Sequence, residues 1–240
     1  MYILFSGEGP TDLGSPQFPN RVCNAASYER GPLVDLTDQI VVAKGKPSFL
    51  ANDSHGFVPK NLLSIRAKNT RERKHALPGK KTAKETGYFY KNARALALIA
   101  LDTERAIGIP VVAVLFRDAD GSAGNRDGHW ADKWKSMKDG FSSAAFDRGV
   151  PMLPRPKSEA WMLCALQKNQ NPNTNGAGLE TRHGSSSSPN SVKQALANFR
   201  KGISPSRQQL KDWVADRTIL ADNITHNSFR RFRTRLEEVI

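Results

Sequence analysis

The pattern of hydrophobic and polar positions divides the chain into short apolar runs separated by longer amphipathic stretches. The opening Met1-Tyr2-Ile3-Leu4-Phe5 is apolar throughout and predicts a short buried strand; Gly7, Gly9 and Pro10 end it in a turn. Residues 32–43 place Leu33, Leu36, Ile40 and Val41 at helical spacing and predict a short helix. Residues 44–86 are mixed, with weak strand signals at Phe57-Val58 and from Leu62 to Ile65. From Tyr88 to Ile107, Ala93, Leu96, Ala97, Ala100 and Leu101 form one face of a helix built from good helix formers, stopped by Gly108 with Pro110 beyond. Val111 to Phe116 is unbroken and Val-rich, the profile of a strand covered on both faces. A polar, glycine-rich loop at 121–128 leads to a predicted helix from Trp130 to Arg148, a short strand over Pro151–Pro154 and a helix from Lys157 to Leu166. Residues 168–190 are rich in Asn and Ser and predict a long, partly mobile loop. Val192–Phe199 and Pro205–Val214 are predicted helices. The last helix, from about Ser228, gathers Phe229, Phe232 and Leu236 on one face with Arg230, Arg231, Arg233 and Arg235 around it.

Strands alternating with helices predict an α/β fold, a central mostly parallel sheet flanked by helices, with a basic insertion and a helical C-terminal part. The expected organisation is an α/β domain over 1–167 with the insertion at about 44–86, a loop over 168–190 and a helical extension over 191–240. Sites in such sheets lie beyond the carboxyl ends of the strands. Acids fall there. Glu8 and Asp12 follow the first strand in Ser6-Gly7-Glu8-Gly9-Pro10-Thr11-Asp12, Asp118 and Asp120 follow the Val-rich strand in Arg117-Asp118-Ala119-Asp120-Gly121, and Glu159 opens the next helix in Arg155-Pro156-Lys157-Ser158-Glu159-Ala160-Trp161. Two residues apart at a strand end, Asp118 and Asp120 point to the same side and can share a Mg²⁺, which takes oxygen ligands. Such ions activate water and stabilise the leaving oxygen in phosphodiester cleavage. A glutamate among glycines at a turn can approach a phosphate and serve as general base or as ligand.

Charge gives the acids a partner. The 240 residues carry a formal net charge of +13. Residues 60–84 hold nine Lys/Arg against one acid, and residues 200–235 hold nine against three, leaving the remainder near neutral. Clustered positive charge on this scale is the footprint of a nucleic-acid binder. Arg71, Arg73, Lys74, Lys80, Lys81, Lys84, Arg230 and Arg231 are the expected contacts. No apolar run is long enough to span a bilayer, no signal-peptide pattern opens the chain, and two cysteines are too few for a disulfide framework. The expectation is a cytoplasmic protein without a membrane role.

The segments "EGPTD", "RDADG" and "RPKSEAW" resemble a Toprim-like family of bacterial proteins of unassigned function, related to the overcoming-lysogenization-defect nucleases and associated with phage defence. The resemblance covers roughly residues 1–165. It implies a Toprim-like sheet, Glu8 as the acid/base residue and Asp118 and Asp120 as ligands of Mg²⁺ or Mn²⁺. It implies Glu159 as a further ligand and Asp12 as another acid of the site. The basic insertion between the first two motifs departs from the family pattern. The related nucleases carry an ATPase domain that this sequence lacks, so a separate ATPase polypeptide is the implied partner.

Other motifs fail on spacing. Gly7-Glu8-Gly9 is no dinucleotide fingerprint, because position 12 is Asp, and Gly79-Lys80-Lys81-Thr82 is no phosphate loop, because the upstream glycine would fall at Lys74. The five histidines show no metal-ligand spacing, and His129, near the acidic loop, is the one to test. Cys164 reads as core and Trp161 as a packing anchor. Lys157 is a candidate to neutralise a pentavalent phosphorus centre. Three functions therefore compete: a Mg²⁺-dependent nuclease acting on DNA or RNA, a non-catalytic nucleic-acid-binding or sensor subunit of an ATPase-containing complex, and a phosphotransfer enzyme acting on nucleotides.

Overall fold

A computed structural model of the chain describes residues 1–68, 82–119, 126–182, 184–185, 188–199 and 202–240, with side chains omitted at 82–85 and 126–128. A five-stranded sheet has β1 (Tyr2–Ser6) at its centre. On one side β1 pairs in parallel with β5 (His55–Val58), whose far edge carries the two-residue antiparallel β3 (Cys23–Asn24). On the other side it pairs in parallel with β6 (Val111–Phe116), which pairs in parallel with β7 (Gly149–Met152). A small antiparallel pair, β2 (Gly14–Pro16) with β4 (Tyr28–Arg30), lies between β1 and α1 (Pro32–Ala43) in the chain. The α/β class and the mostly parallel sheet are thus as expected.

Alternation builds two cores. Ile3, Phe5, Val112, Val114 and Phe116 face α1, α5 (Ser158–Gln170) and the C-terminal helices. Leu4, Val111, Ala113 and Leu115 face the helices α2 (Lys60–Lys68), α3 (Thr82–Ile107) and α4 (Arg126–Ser142). Every residue of β6 is buried, which is why that strand shows no polar face in the sequence.

Three sequence expectations need correction. Leu62 to Ile65, a strand signal, lies inside α2. Pro59 precedes that helix, Leu63 is its buried contact, Arg66 and Lys68 complement its carboxyl end, and Arg66 pairs with Asp102 of α3 at 2.9 Å. The helix expected from Trp130 to Arg148 starts at Arg126 and stops at Ser142. Ala145 takes a positive φ of 53°, and Phe146 returns its N–H to the Phe141 carbonyl at 3.3 Å, a left-handed closure sealed by the Phe141–Phe146 ring contact. The strand expected over Pro151–Pro154 sits at Gly149–Met152, where it pairs with Ala113–Phe116; Gly149 opens it at a point where a Cβ would lie 2.1 Å from the Phe141 ring.

The edge strand β7 is guarded. Ala113 and Arg117 donate to the carbonyls of Arg148 and Met152, so residues 149, 151 and 153 turn their polar backbone outward. Arg235 Nε donates to the Gly149 carbonyl at 3.1 Å and Trp130 Nε1 to the Leu153 carbonyl at 2.9 Å, while Pro151 has no N–H to offer.

The C-terminal helices α6 (Val192–Phe199), α7 (Arg207–Ala215) and α8 (Asn227–Val239) share the core of α1 and α5. Phe229, Phe232 and Leu236 are fully buried, as the α8 pattern predicts. Trp161 stacks with Phe232, meets Phe229 edge-on at 5.0 Å and donates its indole N–H to Ser228 Oγ at 2.8 Å, the packing anchor expected of it. Gln39 of α1 donates to the carbonyls of Val214 and Ile219 and accepts from the Ala221 N–H. Of the segment 168–190, α5 takes the first three residues, and Leu179–Thr181 forms a 3-10 turn whose Glu180 accepts the backbone N–H groups of Asn227 and Ser228. Among the described residues no helix is long and apolar enough to cross a membrane.

Candidate active site at the carboxyl ends of the strands

The four parallel strands deliver their carboxyl ends to one side, and the chain reverses order there, running from β1 outward to β5 and back across to β6. Ser6 Oγ ties the ends of β1 and β5 by donating to the Val58 carbonyl at 2.9 Å. Gly7 follows where space is tight: a Cβ there would lie 2.6 Å from Leu13 and 3.0 Å from Phe116, so either side chain would have to shift. Gly9, at φ 89°, then turns the chain, and its carbonyl accepts the Asp12 N–H at 3.2 Å. This tight turn places Glu8 on the wall of a cleft and brings Asp12 to Ser158.

Asp12 and Asp118, 106 positions apart in sequence, meet on one residue. Ser158 Oγ donates to Asp12 Oδ1, and the Ser158 backbone N–H donates to Asp118 Oδ1 at 3.2 Å. Ser158 is the first residue of α5, so Asp118 satisfies one of the N–H groups that a helix start leaves without an internal acceptor. Burial pushes the Asp12 carboxyl up to about 6; the Ser158 hydrogen bond opposes this, the Glu159 charge adds to it, and Thr11 and Lys157 oppose it. Asp118 is fixed on its own strand as well: Arg117 and Ala119 donate backbone N–H groups to Met152 and Pro154, and the buried Lys133 of α4 donates to the Ala119 carbonyl at 2.6 Å.

Glu8 is held by cations. Lys60 Nζ stands 3.3 Å from Oε2, and Arg117 Nε stands 3.7 Å from Oε1. Arg117 is 1% exposed; its Nη1 donates to the Phe116 carbonyl and its guanidinium lies 5.5 Å from the Tyr88 ring centre, while Nε and Nη2 have no hydrogen-bond partner among the described residues. The cleft beside Glu8 has a volume of about 390 Å³ and is walled by Pro10, Pro16, Pro19 and Phe57, with Lys60 and Asn61 at its side.

The structure therefore brings Asp12, Asp118, Ser158 and the α5 start together, with Lys157 and Glu159 near enough to act on Asp12, and joins Glu8 to the same strand end through Arg117. Among the described residues no three His, Cys, Asp or Glu gather closely enough to hold a metal. Asp120 lies outside the described residues, as do Arg71, Arg73, Lys74, Lys80 and Lys81 and the side chain of Lys84. His129 is exposed on α4. Arg230 and Arg231 line a second, basic groove of about 470 Å³ between α4 and α8, with Trp134, Lys138 and Arg235; Arg231 lies 5.6 Å from the Trp130 ring centre. Cys164 is buried, as expected of a core residue, with its thiol against the Asn223 carbonyl and Thr225 Oγ1: burial pushes the thiol up, but interaction with His226 and Thr225 outweighs this and leaves it below the ordinary value.

Sequence reasoning passed over Arg117, Lys133 and Ser158. Arg117 stood inside a quoted motif, and its signal was position alone, a cation directly after an all-apolar strand. Nothing in the chain of letters marked Lys133. The chain matches no protein-family model, no curated protein and no solved structure.

Proposed function

We propose that the protein is a Mg²⁺-dependent nuclease that cleaves phosphodiester bonds of DNA or RNA. The observation that carries this reading is the meeting of Asp12 and Asp118 at Ser158, on the carboxyl side of a parallel sheet, next to a Glu8 held between two cations. The donor set suits the metal: hard carboxylate oxygens from two strand ends, one of them a desolvated carboxyl that a cation would favour in ionised form. Asp12 and Asp118, with Asp120, would hold it, and when bound it would supply an activated water and charge neutralisation at phosphorus. The residues of the chain do the rest. Lys60 and Arg117 hold the Glu8 carboxylate at the cleft, where it would accept a proton from water. Lys157, at the cap of α5, would meet charge that develops on the phosphoryl oxygens. The Toprim-like resemblance of the three motifs supports the same assignment, along with phage defence as the setting and a separate ATPase as partner.

The test is incubation of the purified protein with DNA and with RNA, transfer RNA included, with and without Mg²⁺. Cutting that requires the metal and disappears in Glu8→Ala and Asp118→Ala is the expected result. Undiminished cutting by those variants removes the acids from the mechanism. A second reading, a nucleic-acid-binding or sensor subunit without turnover, is favoured by the basic groove of Arg230, Arg231 and Lys138, which is lined by none of the site acids. Calorimetric titration with Mn²⁺ separates the two, because only the nuclease needs a metal.

A further inference from the structure

We propose that Lys60, Arg117 and the amino end of α2 form a seat for a phosphoryl group, and that Glu8 occupies this seat until a phosphate displaces it. The inference rests on the nuclease reading only for the identity of the ligand's parent molecule. Arg117 supplies the first observation. Arg117 is 1% exposed, yet among the described residues Nε and Nη2 have no hydrogen-bond partner, and Nε stands 3.7 Å from the Glu8 carboxylate. A buried guanidinium with two of its three nitrogens left without hydrogen bonds is costly, so the site is completed only when an anion comes closer than Glu8 does. Lys60 supplies the second. Its ammonium is 3.3 Å from the other oxygen of Glu8, on the opposite flank of the same carboxylate. The third is α2, a nine-residue helix that begins at Lys60. Its first-turn N–H groups lack internal acceptors, and Pro59, Lys60 and Asn61 line the cleft.

Two cations and a helix start thus surround one monovalent carboxylate. A phosphate dianion matches that charge better and offers oxygens in several directions, and the guanidinium fork is shaped for it. Glu8 is 40% exposed on its side chain and sits between glycines, so it can swing into the cleft as the phosphate enters. The 390 Å³ beside it accommodates the sugar that follows a phosphate.

The experiment measures binding of inorganic phosphate to the full chain in EDTA, by calorimetry, so that it reads no cutting and needs no metal. Wild type binds. Lys60→Ala and Arg117→Lys weaken binding about tenfold or more, as expected for lost charge-assisted hydrogen bonds. Glu8→Gln, which removes the internal competitor, tightens it several-fold, whereas the nuclease reading predicts that the same variant loses cutting. The proposal is overturned if wild type does not bind phosphate, if Glu8→Gln binds more weakly than wild type, or if Arg230→Ala weakens binding as much as Lys60→Ala does. Oligonucleotides with a 5′-phosphate and with a 5′-hydroxyl then identify the source: preference for the first assigns the seat to a chain end, and equal affinity assigns it to the internal backbone.

Discussion

Replacing Asp12 by Asn should stabilise the protein at pH 8. Burial raises the Asp12 carboxyl from 3.8 to about 6, and each unit corresponds to about 1.4 kcal/mol, so ionising it in the folded chain costs about 3 kcal/mol at most. Solvent screening of a half-buried group reduces that to about 1–2 kcal/mol. The direction follows from proton counting. Between about pH 4 and pH 6 the folded chain keeps a proton on Asp12 that the unfolded chain has released, so wild-type stability from this group falls as pH rises through that window. Below it both states are protonated, and above it the full penalty is present. Asn keeps a carbonyl oxygen to accept from Ser158 Oγ and carries no charge beside Glu159. Urea unfolding in EDTA should therefore show Asp12→Asn ahead of wild type by about 1–2 kcal/mol at pH 8, with the gap closing towards pH 4. A variant less stable than wild type at pH 8, or a gap flat across pH, would refute the reasoning. Adding Mg²⁺ extends the test: if Asp12 is a ligand, the metal raises the stability of wild type more than that of the variant.

Other outcomes follow from packing and charge. Trp161→Ala should cost about 3–5 kcal/mol in urea unfolding, because it leaves a cavity under Phe229 and Phe232; Trp161→Phe should cost less while still leaving Ser228 Oγ without the indole donor. Gly149→Ala should lower stability by about 1–3 kcal/mol through collision with the Phe141 ring, read as a drop in melting temperature. If the chain binds nucleic acid, the logarithm of affinity should fall linearly with the logarithm of salt, and Arg230→Ala with Arg231→Ala should flatten that slope by about one or two ions, measured by fluorescence anisotropy.

The parts of this fold that could be read from sequence were those where one interaction dominates. β6 is all Val, Ala, Leu and Phe because both faces are covered, and α8 repeats Phe229, Phe232 and Leu236 because one face is. Leu62 to Ile65 misled because a run of four apolar and small residues suits either period, and the deciding influences, Pro59 and the contact with α3, lie outside the run. The end of α4 rested on Ala145 adopting a left-handed conformation, which no letter announces. In the site, acids at strand ends were visible because turn chemistry exposes them. Their convergence on Ser158 was not, since a serine at a helix start has an ordinary local explanation. Arg117 was hidden for a similar reason: an arginine is expected in water, and only three-dimensional burial makes its unpaired nitrogens conspicuous.

The outer margin of β7 has a bearing on how these molecules behave in a crowd. With Gly149 and Leu153 already engaged by Arg235 and Trp130, and a proline between them, an incoming β-segment from another molecule finds no ladder to extend. Strand addition is disfavoured on that flank, where α4 and α8 present Lys138, Arg230, Arg231 and Arg235 to a visitor instead.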